Sequence, residues 1–155
     1  MRRLTKSISK NFIFHFVLLV LYTNFAEINI ICFIYMQKTA KDLLTVITEA
    51  VQEKKGTSIV IVDLSNIENV ICKYFIICQG NSTTQVNAIA EEVTNYTREH
   101  SNEKPLAISG QDNGVWVAMD YSDIILHIFQ PEARVFYDLE HLWEDAKLTK
   151  IPDIK

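Results

Sequence analysis

Two hydrophobic periods alternate along this chain. Leu43, Leu44, Ile47, Ala50 and Val51 recur at helical spacing. Thr39-Ala-Lys-Asp42 before them supplies a hydroxyl cap and a first-turn carboxylate, and Lys54-Lys55-Gly56 closes the turn with cations and a glycine tolerant of left-handed backbone. Residues 58–63 (SIVIVD) then form a continuous β-branched run, and residues 74–78 (YFIIC) a second, both predicting strands buried on two faces. Ser82-Thr-Thr-Gln85 has the spacing of a capping box. It opens a helix with Val86, Ile89, Ala90, Val93 and Tyr96 on one face, and Glu91, Glu92, Arg98 and Glu99 largely on the other. Residues 105–108 make a third short strand, followed by the polar loop 110–114. Two β-forming runs, 115–119 and 124–129, flank Asp120-Tyr-Ser-Asp123, which predicts a hairpin. Pro131 ends that pattern, and Val135, Leu139, Leu142, Trp143 and Ala146 return to helical spacing. The order α-β-β-α-β-β-β-α predicts an α/β (α+β) fold, a mixed five-stranded sheet flanked by helices.

The first 35 residues stand apart. They hold Arg2, Arg3, Lys6 and Lys10 against Glu27, and apolar runs at 12–22 and 28–35. A basic start followed by an apolar run is the pattern of a signal peptide. As a membrane span the segment is broken by Asn24, Glu27 and Asn29. The Phe, Ile, Asn, Tyr and Lys bias also fits translated AT-rich leader, in which case the protein starts at Met36. We expect the domain to occupy residues 36–150, with 151–155 as a tail.

Charge narrows the partners. The chain has a formal net charge of −4, but from residue 36 onward 11 basic residues face 18 acidic ones, a net −7. A compact acidic domain is poorly suited to gripping a phosphate backbone and well suited to a basic protein. No direct nucleic-acid binding is therefore expected. Cys32, Cys72 and Cys78 are an odd set without a CxxC pair, which argues against a zinc site or disulfide framework and for reduced thiols in the cytoplasm.

Catalytic patterns are sparse. His127 lies mid-strand, Ser82 has no sequence partner that would activate it, and Asp120 and Asp123 bracket a turn where aspartates usually bond their own backbone. There is no P-loop, Gly-x-Gly-x-x-Gly turn or His-Glu-x-x-His helix. The Gly80-Asn81-Ser82 loop before a helix could hold an anion, which keeps open a small nucleotidyltransferase-like enzyme. That chemistry needs two or three metal-binding carboxylates soon after the loop, whereas Glu91 and Glu92 are adjacent on a helix. We therefore expect no enzyme, no cofactor and no metal.

Residues 39–147 resemble the ribosomal silencing factor family, RsfS or Iojap-like. The matching stretches are TAKDLL, VQEKKG, IVIVDLS, YFIICQGNSTTQVNAIA, GVWVAMDYSDIILHIF and ARVFYDLEHLWEDA. The last two are the specific ones, for their order and spacing of Trp, Asp-aromatic-small-Asp, His-Ile-Phe and Arg-x-Phe-Tyr. One departure is Lys73, where the family usually has Asp. The resemblance implies a nucleotidyltransferase-like fold without catalysis and a chain that begins near Met36. It also implies a translational repressor that binds the large ribosomal subunit through its protein fourteen and so blocks subunit joining. A homodimer is the expected alternative state of the free chain, and no membrane partner is expected.

Strand alternation puts Trp116, Ala118 and Asp120 on one face of their strand. Tyr137 is offset from the Leu139/Leu142/Trp143 stripe. Trp116, Asp120, Tyr121, Arg134 and Tyr137 are accordingly the expected partner-binding residues.

Overall fold

A computed structural model describes residues 42–143 and 145–154. The apolar leader, the start at Met36 and the capping residue Thr39 lie outside the described residues. The first helix, α1, runs through residues 42–53 and buries Leu44, Ile47, Ala50 and Val51. At its end the left-handed residue is Lys55 (φ 55°), one earlier than the glycine predicted for that role. Gly56 is needed for space instead. A Cβ there would come within 2.5 Å of Val51 Cγ1.

The elements that follow are β1 (Thr57–Asp63), β2 (Tyr74–Gln79), α2 (Thr83–His100), β3 (Ala107–Ser109), β4 (Trp116–Asp120), β5 (Ile124–Phe129), α3 (Pro131–Tyr137) and β6 (Lys147–Lys150). They build one mixed sheet in the order β3-β4-β5-β2-β1-β6. β2 and β5 pair in parallel at its centre, and the other neighbours are antiparallel.

The sheet has six strands rather than five. β6 escapes a hydrophobic reading because all four of its residues (KLTK) are exposed. It adds to the outer edge of β1, with Val62 opposite Leu148. Residues after it stay on the same edge, where Ile151 N–H donates to Ile59 O and Asp153 accepts from Ser58 N–H at 2.8 Å.

The predicted C-terminal helix also needs correction. α3 starts with Pro131 in its first turn and stops at Asp138, which adopts φ 41°, ψ 49°. A 3₁₀ turn follows over Leu139–His141. The helical spacing of Val135, Leu139, Leu142, Trp143 and Ala146 thus spans two short pieces. Leu139, Trp143 and Ala146 pack inward, while Val135 (80% exposed) and Leu142 (64%) point out.

Alternation along the strands divides the interior into two cores. Tyr74, Ile76, Cys78, Val117, Met119, Ile124, Leu126 and Ile128 face α1 and α2, meeting Ile47, Val51, Ile89 and Val93. Val60, Val62, Phe75, Ile77 and Phe129 face the other way. That second face is covered by Leu64, Ile67, Val70 and Cys72 of the β1–β2 connection and by Ala133, Leu139 and Trp143 after β5.

Candidate functional site: an aromatic face on the second side of the sheet

The second face is incompletely covered beside α3, and there the sequence leaves its aromatics. Trp116 on β4 is half-buried. Its direct cross-strand neighbour, Phe129 on β5, stacks on it with ring centroids 5.0 Å apart at 21°. Tyr137, at the last turn of α3, closes on the indole from the solvent side with centroids 4.8 Å apart. Phe136 meets Tyr137 edge-on at 5.0 Å and is itself 80% exposed. Val135, Phe136 and Tyr137 are three successive exposed apolar side chains, and Leu142 is exposed in the same segment. Exposed apolar surface of this kind marks a contact site more often than a fold requirement.

Beneath these rings lies His127, 6% exposed, whose Nδ1 accepts the Trp116 indole N–H at 3.2 Å. The indole can only donate, so the ring proton of the neutral histidine sits on Nε2, a buried atom with no hydrogen-bond partner. Burial pushes the His127 pKa down to about 4, so the ring is neutral near pH 7.

The other predicted residues divide. Asp120 shares the face of Trp116, at the opposite end of β4. Its Oδ1 accepts from Ser122 N–H at 2.7 Å, and among the described residues no cation pairs with it. Arg134 turns inward. Its guanidinium pairs with Glu140 and reaches Gln79 Oε1 at 3.4 Å, with the side chain 11% exposed, so it braces the α3 turn. Tyr121 does not belong with the others. It is 6% exposed in the α2-side core, its hydroxyl 3.1 Å from that of Thr97. The parity of the strand explains the correction, since a residue next to Asp120 lies on the opposite face. Phe136, Val135 and the supporting His127 were not among the expected site residues. A helical stripe through Val135 predicts that Val135 faces the core, whereas Val135 and Phe136 are both 80% exposed.

Lys73 lies just before β2, at the Asp120 end of the sheet and away from the Trp116–Phe129 pair, and forms an ion pair with Asp123 at 2.9 Å. Both turn carboxylates are therefore engaged, Asp120 by backbone and Asp123 by an ammonium. Among the described residues no group of three or more His, Cys, Asp or Glu is arranged to hold a metal ion.

The loop before α2 is filled by its own chain. Ser82 Oγ accepts from Gln85 N–H at 3.2 Å, and Gln85 Oε1 accepts from Asn81 N–H at 2.8 Å. Gln85 Nε2 donates to the carbonyls of Lys54 and Lys55, tying the end of α1 to the start of α2. Gly114 packs against Thr83 from the other side, where a Cβ would come within 3.0 Å. A phosphate would have to displace these contacts. A shallow pocket of about 260 Å³ beside β1 and β6 is lined by Arg134, Glu140, Lys150 and Asp153, but Arg134 and Glu140 are spent on each other there.

The fold and this face define a small α/β domain: a mixed sheet with helices packed on one side and partly uncovered aromatics on the other. The chain belongs to the ribosomal silencing factor family RsfS, whose family model, "Ribosomal silencing factor during starvation", matches residues 37–155. The ribosomal silencing factor RsfS of Halalkalibacterium halodurans is 33% identical over 114 residues, covering 74% of this chain and 96% of that protein. A crystal structure of a protein from Chromobacterium violaceum superimposes with a TM-score of 0.64 at 28% identity, over 74% of this chain and 95% of that one. A shorter match joins 72 residues, 45% of this chain, to 32% of the mouse protein named for mitochondrial assembly of the ribosomal large subunit, at 32% identity. No helix among the described residues is long and apolar enough to cross a membrane.

Proposed function

We propose that this protein is a cytoplasmic ribosomal silencing factor that docks its aromatic face on the large ribosomal subunit and represses translation by preventing subunit joining. The docking partner is the large-subunit protein fourteen, and the mechanism is steric. Occupying a small patch excludes a much larger particle without any reaction. The observation that carries the reading is the Trp116–Tyr137 pair, with ring centroids 4.8 Å apart and tilted by 43°, partly exposed and met edge-on by the exposed Phe136. Aromatic anchors of this kind dominate protein interfaces. Family membership points to the ribosome, the mouse relative's name points to its large subunit, and the acidic balance of residues 36–155 suits a basic ribosomal protein.

The test is co-sedimentation with purified large subunits. Trp116→Ala and Tyr137→Ala are each expected to weaken binding about thirtyfold, corresponding to roughly 2 kcal/mol at an interface anchor. Melting curves run alongside separate docking from folding. Unchanged binding by both variants would place the partner on another face. Away from the ribosome the same face is free to meet a second copy of the chain. Sedimentation equilibrium should then show a dimer that Tyr137→Ala dissociates, and a monomer at every concentration rejects it.

A further inference from the structure

We propose that His127 is a positioning residue, holding the indole of Trp116 in the orientation that the ribosomal partner meets. This rests on the reading of Trp116 as a docking residue. The sheet register supplies the geometry. Trp116 lies opposite Phe129 and Ala118 opposite His127, so the histidine is the diagonal cross-strand neighbour of the tryptophan. Phe129 stacks on the indole, Tyr137 leans on it from α3, and His127 accepts its N–H. Stacking fixes the plane of an indole but leaves its N–H edge undetermined. The hydrogen bond to Nδ1 removes that freedom.

The histidine is in turn held. Phe75 on β2 meets its ring edge-on at 5.0 Å, and Phe129 lies nearly parallel at 6.1 Å. Its surroundings are otherwise those of an apolar residue. Nε2 is buried without an acceptor, a penalty that a phenylalanine or leucine at the same place would not carry. The one contact a hydrocarbon ring cannot reproduce is the acceptor at Nδ1, and that acceptor serves a residue at the edge of solvent. A fixed anchor loses less freedom on docking, which raises affinity without adding a contact to the partner.

The experiment measures affinity of the full chain for purified large ribosomal subunits in four variants: His127→Phe, His127→Asn, Trp116→Ala and the double variant His127→Phe/Trp116→Ala. His127→Phe keeps the ring and removes the acceptor, and should bind roughly tenfold more weakly with a melting temperature unchanged or raised. Its indole N–H resonance for Trp116 should move in the free protein. His127→Asn places an oxygen one bond from Cγ, as Nδ1 is, and should recover most of the affinity. The double variant should bind no more weakly than Trp116→Ala alone. Normal binding by His127→Phe, or an equal further loss on top of Trp116→Ala, overturns the proposal while leaving the docking face intact. Normal binding by Trp116→Ala overturns the docking role of Trp116 and this inference together.

Discussion

His127 also makes the native state sensitive to acid. Its ring is surrounded by Phe75, Trp116 and Phe129, and burial lowers its pKa from 6.5 to about 4. In the unfolded chain the same group titrates near its ordinary value, so between pH 6.5 and 4 the unfolded state binds the extra proton. Stability must then fall as pH falls through that window and be complete above it. Between pH 7 and pH 5 this one residue should remove on the order of 2 kcal/mol. Denaturant titrations of the natural chain and of His127→Phe at the two pH values isolate the effect from the carboxylates, because those are common to both. Equal pH dependence in the two proteins would show that the ring takes up its proton alike in the folded and unfolded chain. Arg134 shows the opposite lesson at the same scale. A charged residue among aromatics reads as an interface anchor in sequence, but its guanidinium is consumed by Glu140 and Gln79.

At the level of elements, the turn between β3 and β4 governs where Trp116 sits. Gly110 has φ 89°, and a Cβ built there would lie 1.9 Å from the carbonyl oxygen of Trp116. Gly110→Ala should therefore push β4 away from β3 and cost about 2 kcal/mol or more, read as a lowered melting temperature with weakened subunit binding. A variant that melted and bound like the natural chain would mean that the turn relaxes freely. The α1–α2 junction offers a contrast, since it lies on the far side of the sheet from the aromatic face. Gln85→Ala loses bonds to Asn81, Lys54 and Lys55 and should cost about 1–2 kcal/mol while leaving affinity for the subunit unchanged. The elements that could be read from sequence are those with a periodic or continuous apolar pattern: α1, α2, the strands β1 and β2, and the β4–β5 hairpin. β6 could not, because an edge strand with four exposed residues has no apolar face to betray it. After Pro131 an apolar spacing of four continues across Asp138, so spacing predicts one helix where the left-handed backbone at Asp138 makes two short pieces. That Trp116 and Asp120 share one face of β4 follows from alternation alone. The bracing of Trp116 by His127 needs the register between β4 and β5, which no single strand encodes.

Taken as a whole, the molecule from residue 36 onward carries an excess of seven negative charges. If its partner is a basic ribosomal protein, that field accelerates encounter, and raising salt from about 50 to 300 mM should slow association several-fold with a smaller effect on dissociation. Stopped-flow measurements at two ionic strengths check this, and an association rate indifferent to salt removes charge from the account. The central pairing of the sheet has its own bearing on how the chain reaches this state. β2 and β5 run parallel and are separated along the chain by residues 80–123, which include α2, β3 and β4, so a long loop must close before the two middle strands can meet. The antiparallel pairs β1–β2 and β4–β5 need no such long closure. Closing short loops precedes closing long ones. The chain is thus expected to mature as two separate hairpins that dock late, with β6 sealing the outer edge of β1. Pulsed hydrogen exchange during refolding would show hairpin amides protected first, and early protection of the β2–β5 ladder would reverse the order. Until that docking step Phe129 lies on one hairpin and Phe75 on the other, so the enclosure around His127 is among the last features of the molecule to come into being.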